Sequence, residues 1–251
     1  MGRQPTSQQY KWHDAEYTLK GIVMNFPPMS ATHWQSFELM QTGHLNVHFS
    51  QWGEDVVLWH FLRTRRDGFY VDVGAHHPQS LSNTALLHHY NGWSGINVEP
   101  DQRLYERFLR TRPGDINICC GVGAVDGVQK MAIFEDGAVN SFDHEAVDFQ
   151  IARGGKKLNE WRDVPIRTLK SILDEHLPSG KKIDVLNVDV EGWDLIALAS
   201  NDWSRYKPEI ILVEDHKMNL ANVAQNETWT FLNNLGYRLI SQTLATSIYI
   251  S

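Results

Sequence analysis

The sequence predicts an α/β fold in which a mostly parallel sheet carries helices on both faces. Three observations predict it. Short apolar runs alternate with longer amphipathic segments, several runs end at glycine or acidic residues, and 42% hydrophobic residues supply a core for a 251-residue chain. Such alternation is typical of βαβ units, whose connections cover both faces of a parallel sheet. Ligands of such sheets bind beyond the carboxyl ends of the strands, so functional residues are expected there.

Seven apolar runs are predicted to be the strands of this sheet. Strands that are buried on both faces read as nearly continuous apolar runs bounded by turn residues. In chain order the runs are Phe69–Val73, Gly95–Val98, Ile116–Cys120, Ile183–Val188, Glu209–Val213, Tyr237–Ser241 and Ser247–Ile250. The last two are predicted to form a terminal hairpin, and Gly127–Phe134 is predicted to be an additional hairpin strand.

Helices are predicted between the strands, where apolar side chains recur at helical spacings. They are Asp55–Arg63, Leu81–Tyr90, Arg103–Arg110, Thr168–His176, Trp193–Ala199 and Thr228–Leu235. Thr168 is a suitable N-cap for its helix, and Gly236 is expected to stop the last one. A polar, glycine-containing loop is predicted to follow Phe134 and to run through Glu160.

The chain divides into a predicted extension, residues 1–48, and one predicted α/β domain, residues 49–251. The extension is polar with scattered aromatic residues, and a Pro27-Pro28 pair breaks it. Substrate-closing elements tend to lie on such segments. The extension and the Gly137–Glu160 loop are therefore candidate lids.

Composition and charge exclude several classes of protein. A formal net charge of −7 argues against non-specific binding to nucleic acid, which requires a basic face. No apolar run approaches the roughly 20 residues of a membrane helix, and Met1–Lys20 lacks the apolar core of a signal peptide. Cys119 and Cys120 are neighbours, a poor arrangement for a disulfide, so we expect a reduced, cytoplasmic protein.

The first predicted strand ends in a turn that suits a nucleotide-like ligand. Asp72 and Gly74 form an Asp-x-Gly turn, in which glycine permits a tight reversal and the turn would present backbone N–H groups and one carboxylate. Glu99 ends the next strand about 25 residues later, near the spacing at which nucleotide-binding units place a carboxylate on ribose hydroxyls. The alternatives are an ordinary strand end for the turn and a helix-capping or surface acid for Glu99.

Acidic residues also follow the next two buried strands. Asp189 and Glu191 end one strand with a spacing of two, which directs both side chains to the same side. Glu214, Asp215 and His216 end its neighbour. Carboxylates held on one face repel each other unless a cation or a shared proton relieves the repulsion, and Mg²⁺ suits oxygen ligands of this kind. The alternative is that one or two of these acids cap the helices that follow.

Six segments occur in an order that is typical of one family. They are Ser50–Asp55, Phe69–Pro78, Ser82–Thr84, Gly92–Pro100, Val164–Leu169 and Asn187–Gly192. Together they resemble the FkbM-type S-adenosylmethionine-dependent methyltransferases, and the resemblance covers approximately residues 49–250. It implies the class I methyltransferase fold, a Rossmann-like seven-stranded sheet, mostly parallel with an antiparallel C-terminal strand.

The same resemblance implies roles for individual residues at the donor site. Asp72, Gly74 and Ala75 would line the methionine end of S-adenosylmethionine, and Glu99 would hold its ribose. Asp126 would lie where the adenine is bracketed. The residues implied to close over the cofactor from the N-terminal side are Gln51 and Glu54.

At the acceptor side this chain departs from the commoner Asp-x-Gly-Ala-Asn form of the family, because it carries His76 and His77. His77 is a candidate for contact with the acceptor, although a packed or solvent-facing histidine is the more ordinary interpretation. His216, beside the acids of the neighbouring strand end, is a second candidate.

A second resemblance bears on the mechanism. In metal-dependent sugar O-methyltransferases an Asp-x-Asp after the fourth strand and a paired acid after the fifth supply a metal site and a base. Carried over, Asp189, Glu214 and Asp215 would bind Mg²⁺ and Glu191 would be the base. Glutamate stands for aspartate at two of these places.

These resemblances imply O-methylation of a sugar, nucleotide sugar or glycosylated metabolite. Trp34, Trp52 and Trp161 are candidates for stacking on a sugar face, although packing is their more ordinary role. Methylation of a non-sugar small molecule or a phosphoryl-linked group, and a non-catalytic S-adenosylmethionine-binding module, stay open as alternatives. A nucleic-acid methyltransferase and a dehydrogenase are disfavoured, since the Asn/Asp-Pro-Pro-aromatic and G-x-G-x-x-G motifs are missing. A homodimer is one assembly the sequence allows.

Overall fold

The computed structural model describes residues 48–135, 137–152 and 156–251, together with the backbone of two short strands near the N-terminus. The chain separates into two compact units, Met1–Val47 and His48–Ser251. In the first unit, strands Tyr17–Leu19 and Ile22–Met24 pair antiparallel. Trp34 and the other residues of 1–47 outside these two strands are not among the described residues.

The elements are numbered in chain order. The strands are β1 Tyr17–Leu19, β2 Ile22–Met24, β3 Phe69–Val73, β4 Ser94–Val98, β5 Ile116–Ile118, β6 Gly121–Val122, β7 Gly127–Phe134, β8 Leu158–Arg167, β9 Val185–Val188, β10 Ile210–Glu214, β11 Arg238–Gln242 and β12 Thr246–Ile250. The α-helices are α1 Glu54–Leu62, α2 Ala85–Asn91, α3 Gln102–Thr111, α4 His144–Ala152, α5 Leu169–His176, α6 Asp194–Ala199 and α7 Glu227–Asn234. Two 3₁₀ turns lie at Gly137–Val139 and Val223–Gln225.

Seven strands form the main sheet, in the order β11-β12-β10-β9-β3-β4-β5. Strand β12 pairs antiparallel with both neighbours, and the other pairings are parallel. The predicted mostly parallel sheet with an antiparallel C-terminal strand is therefore confirmed. The chain leaves β3 toward β4 and β5, and then crosses to β9 on the other side of β3. This reversal is the point at which open α/β sheets bind ligands.

Alternate residues of each strand enter opposite layers of the core. Val71 and Val73 of β3 join the cluster that includes buried side chains of α5, α6 and α7, whereas Tyr70 joins the cluster with α1 and α2. The period of two in a strand places helices on both faces, as predicted. None of the helices in the described part of the chain has the length and hydrophobicity that a membrane crossing requires.

The segment after β5 differs from the prediction. The expected strand Ile116–Cys120 ends at Ile118, and residues 121–122 form β6, which pairs with β8 in a second sheet of order β6-β8-β7. The loop predicted through Glu160 contains helix α4 and the start of β8. Strand β8 buries only Val164 and Ile166, and its exposed first half shows no apolar alternation to signal a strand.

Helix α2 also begins later than predicted, at Ala85 instead of Leu81. Leu81 has a φ of 58°, a left-handed conformation that a helix excludes. The residues that follow it, Ser82 to Thr84, are buried and bonded to the sheet instead of continuing a helix. This segment forms one wall of the site.

Candidate functional site

A cleft of about 880 Å³, partly open to solvent, lies beyond the carboxyl ends of β3, β4 and β9. Both sheets contribute, since Val122 of β6 and Met131 of β7 lie on its wall. The residues predicted from the sequence that line it are Gln51, Asp72, Gly74, Ala75, Glu99, Asp189, Glu191 and Glu214.

The glycine turn after β3 lies directly against the end of β9. Gly74 has a φ of 74°, and a Cβ added there would lie 1.7 Å from the carbonyl oxygen of Asp189. The backbone N–H groups of Gly74 and Ala75 both donate to the carbonyl oxygen of Val98, at 3.0 and 3.1 Å. These two groups are therefore engaged by β4, which corrects the expectation that the turn offers them to a ligand. The glycine instead allows the turn to pack closely against the backbone at the end of β9.

Asp72 is a buried anchor as well as part of the cleft wall. Its carboxylate accepts hydrogen bonds from Thr84 Oγ1 at 2.6 Å and Asn187 Nδ2 at 2.9 Å. Asn187 Oδ1 accepts in turn from Asn83 Nδ2 at 2.9 Å. Burial raises the pKa of Asp72. The network fixes residues 82–84 against β3 and β9, so it shapes the cleft.

Glu99 is held rigidly at the end of β4. One of its carboxylate oxygens accepts from the backbone N–H of His76 and the other from that of Asp101, each at 2.7 Å. Only 5% of the residue is exposed, and this burial raises the pKa of Glu99 to about 8. Each oxygen retains a lone pair, so the carboxylate can still accept from two adjacent hydroxyls.

Three carboxylates converge on the other side of the glycine turn. Oxygens of Asp189, Asp194 and Glu214 lie within 4.8 Å of one another. Burial, followed by the charges of Glu214 and Glu191, raises the pKa of Asp189 well above its ordinary value. Burial and the charge of Glu214 raise the pKa of Asp194 to about 7. These three residues therefore form an acid cluster, in which the ionised carboxylates repel one another.

Glu191 lies on the tight turn between β9 and α6. Its φ of 49° is left-handed, and Ser141 Oγ donates to its carbonyl oxygen at 2.7 Å. Asp194 holds the same turn, because its two oxygens accept from the backbone N–H groups of Val190 at 3.0 Å and Gly192 at 3.1 Å. Burial, together with the charge of Glu214, raises the pKa of Glu191 to about 8.

Of the three residues predicted to bind a metal, Asp189 and Glu214 lie in this cluster together with Asp194, whereas Asp215 does not. Strand β10 ends at Glu214, and Asp215 begins the loop that follows it. Asp215 Oδ1 instead accepts from Asn226 Nδ2 at 3.1 Å and from the backbone N–H of Lys217 at 3.2 Å.

Two residues predicted to contact the donor lie outside the cleft lining. Asp126 accepts from the backbone N–H of Thr168 at 2.6 Å and from Ser171 Oγ at 3.0 Å, so it binds the first turn of helix α5, whose N-cap is Thr168. Glu54 is buried and accepts from Trp52 N–H and Thr243 Oγ1, both at 2.8 Å. These hydrogen bonds within the protein account for the positions of both acids without a ligand.

The predicted acceptor residues are also displaced from the cleft lining. His77 Nδ1 accepts from the backbone N–H groups of Gln79 and Ser80, at 3.1 and 3.0 Å. Exposed His216 forms an ion pair with Glu214 at 3.0 Å, which raises its pKa. His76, the neighbour of His77, does line the cleft. Trp161 stacks on His144 with ring centroids 4.9 Å apart, and Trp52 is half-exposed.

Two residues that position the site were missed. Asp194 carries a sequence signal in retrospect, because it follows Glu191 by three residues in the first turn of α6. Arg112 carries none, yet it is fully buried and donates to Thr84 Oγ1 at 2.9 Å, to Ser82 Oγ at 3.0 Å and to the carbonyl oxygen of Pro78. It therefore holds the wall that Asp72 also anchors.

Comparison with known proteins gives one finding for this arrangement. Residues 72–239, well over half of the chain, match the family described as Methyltransferase FkbM domain. The match begins at Asp72 in β3 and ends in β11, so it contains the glycine turn, Glu99 and the acid cluster. No curated protein matches the chain.

Proposed function

We propose that this chain, which belongs to the FkbM methyltransferase family, transfers the methyl group of S-adenosylmethionine to a hydroxyl of a sugar or a glycosylated metabolite. One observation carries the proposal. The donor-side turn at Gly74 touches the backbone of Asp189, so the cleft and the acid cluster are parts of one site. Donor and acceptor groups can then meet where the turn after β3 contacts the end of β9.

On the donor side, Glu99 supports an adenosyl group. Its two oxygens are fixed by backbone N–H groups and can each accept from one hydroxyl of the ribose diol. Gly74 lets the turn pack directly against the Asp189 backbone at the switch point of the sheet, which fixes the cleft wall. Asp72, bonded to Thr84 and Asn187, keeps the neighbouring wall in place. Ordered side chains of this kind reduce the entropy lost on binding.

The residues of the acid cluster fit a divalent cation. Asp189, Asp194 and Glu214 offer hard oxygen ligands within 4.8 Å of one another. Their mutual repulsion is relieved by a bound cation. When bound, such an ion acts as a Lewis acid that lowers the pKa of an acceptor hydroxyl and holds its oxygen in place.

Glu191 is the proposed base. It lines the cleft beside Asp189, and its left-handed backbone is held by Ser141 and by Asp194 on the same turn. A carboxylate within hydrogen-bond reach can take the hydroxyl proton as the oxygen attacks the sulfonium methyl. Positioning of the oxygen and the methyl carbon in line contributes in addition, since a bound near-attack geometry replaces a bimolecular encounter.

Release of S-adenosylhomocysteine from a panel of hydroxylated acceptors tests the proposal. Wild type should release it with a glycoside acceptor, and EDTA should lower the rate. Glu191→Gln should lower kcat by at least about 100-fold, the contribution typical of a general base. Glu106→Gln is the matched control, because Glu106 is exposed on α3 and does not line the cleft.

Two results would overturn the proposal in different ways. If Glu191→Gln kept the wild-type kcat, or if EDTA left turnover unchanged, the base-and-cation scheme would be wrong. If S-adenosylhomocysteine bound but no acceptor were methylated, the chain would instead act as a binding module.

A further inference from the structure

A second cleft adjoins the acid cluster. It has about 1350 Å³ of free space, open to solvent, and lies between the β9–α6 turn and the segment that joins β10 to α7. Glu214 lines this cleft as well as the donor cleft. Asp194 of the acid cluster also lines it. An occupant of the second cleft would therefore reach the same acids as an occupant of the donor cleft.

One of the carboxylates that line the cleft has a buried oxygen with an unused bonding capacity. Asp215 is only 8% exposed, and its Oδ1 is engaged by Asn226 and Lys217. Its Oδ2 is buried and has no hydrogen-bond partner among the described residues. A buried carboxylate oxygen normally has a partner, because leaving one unsatisfied is costly. A hydroxyl donor from a ligand would supply it.

The lining of the cleft indicates the chemistry of the occupant. Asn219, Asn222 and Gln225 contribute amide side chains, which can both donate to and accept from hydroxyls. Among the described lining residues, Leu195 is the single large apolar side chain, so an apolar ring system would find little surface to bury. The surface suits a molecule with many hydroxyls.

The charge of the lining discriminates between neutral and anionic ligands. Its acids are Asp194, Glu214, Asp215 and Glu227, against Lys217 and His216, whose pKa is raised by its ion pair with Glu214. Asp189 of the acid cluster adds a fifth negative charge beside this lining. Lys217, a protonated His216 and one divalent ion would together balance four of these five charges, so the surface would stay negative. A phosphate group placed here would meet like charge, which disfavours binding of the anion.

We propose that this second cleft is the acceptor subsite, and that it takes a neutral polyhydroxylated glycoside in preference to a nucleotide-activated sugar. The inference rests on the proposed methyl transfer and narrows its acceptor class. The hydroxyl to be methylated lies beside Glu214, which lines both clefts. A further hydroxyl donates to Asp215 Oδ2, and the amide side chains bind the remainder of the ring.

Two measurements test the subsite. The first compares S-adenosylhomocysteine release with methyl glycosides of common hexoses and with the matching UDP-hexoses. We expect kcat/KM to be at least tenfold higher for the best methyl glycoside, and the preference to shrink as salt screens the charges. Equal or better turnover of the UDP-hexoses would overturn the proposal.

The second measurement follows binding of the methyl glycosides by saturation-transfer NMR in the presence of S-adenosylhomocysteine, so it requires no turnover. Asp215→Asn and Asn222→Ala should each weaken glycoside binding at least fivefold and leave S-adenosylhomocysteine affinity unchanged. Asn222 is exposed, so its variant should fold even if Asp215→Asn does not. Asn234→Ala, exposed at the end of α7, is the matched control.

The two proposals can fail separately. Glycoside binding that both variants weaken, without methylation of any acceptor, would retain the subsite and reject the proposed function. Methylation of a glycoside whose binding neither variant changes would retain the function and reject the subsite.

Discussion

Replacement of Gly74 by alanine tests whether the donor turn and the acid-bearing strand end meet as described. The added Cβ would lie 1.7 Å from the carbonyl oxygen of Asp189, whereas ordinary van der Waals contact begins at 3.4 Å. The β9 backbone must therefore withdraw by about 1.7 Å, since neither atom is part of a flexible side chain. That movement strains the bond from the Asp189 N–H to the Val73 carbonyl oxygen, now 3.0 Å.

The magnitude has two parts. A left-handed conformation costs an alanine about 1 to 2 kcal/mol, and each strained backbone hydrogen bond adds about 0.5 to 1.5 kcal/mol. Gly74→Ala should thus lower the free energy of unfolding by about 1.5 to 3.5 kcal/mol. Gly92→Ala is the matched control, because Gly92 has a φ of 68° but no atom within 4 Å of the place an added Cβ would occupy. It should lose only about 1 to 2 kcal/mol.

Urea unfolding gives the stability of each variant, and isothermal titration gives its affinity for S-adenosylhomocysteine. Gly74→Ala displaces the turn that lines the donor cleft, so we expect it to weaken S-adenosylhomocysteine binding strongly. Gly92→Ala should bind within about twofold of wild type. Wild-type affinity in a folded Gly74→Ala variant would refute the contact between the turn and Asp189.

Three further predictions follow from other parts of the site. Mg²⁺ at about 100 times its Kd should stabilise the protein against thermal unfolding by about 2.7 kcal/mol. Asp194→Asn should abolish this stabilisation. Asp163 is exposed and lies outside the acid cluster, so Asp163→Asn should retain it. The pKa of Glu99 is raised to about 8, so its carboxylate is protonated below that pH. As pH rises toward 8, the affinity for S-adenosylhomocysteine should increase by up to about tenfold per pH unit and then level off. Glu99→Gln should abolish this pH dependence. Arg112→Met should lower the free energy of unfolding in urea by about 3 to 5 kcal/mol by breaking a buried polar network, whereas exposed Arg110→Met should change it by less than about 0.5 kcal/mol.

The main sheet was predictable from the sequence because its strands are buried on both faces. Phe69–Val73 is five residues long and wholly buried, so its apolar pattern reports the strand directly. The same logic predicts that Asp189 and Glu214 end neighbouring strands, which the β9–β10 pairing bears out. Fold class and the location of the cleft depend on these patterns alone.

The second sheet and part of the site were not predictable in this way. Strand β8 exposes most of its first half, so burial leaves no pattern in its sequence. The grouping of Asp189 with Asp194, instead of Asp215, depends on the tight turn at Glu191 and on the loop after β10, where Asp215 bonds to Asn226 and Lys217. Arg112 acts through distant partners in the loop before α2, and a sequence does not report such tertiary contacts.

The central claim is that one site joins a methyl donor to a hydroxyl acceptor. Incubation with S-adenosylmethionine carrying an isotope-labelled methyl group, Mg²⁺ and the best methyl glycoside, followed by NMR of the product, tests it most directly. We predict a labelled methyl group on a single hydroxyl oxygen of the glycoside, formed by wild type and lost in Glu191→Gln. Label found only in unreacted donor, or transferred equally by both proteins, would contradict it.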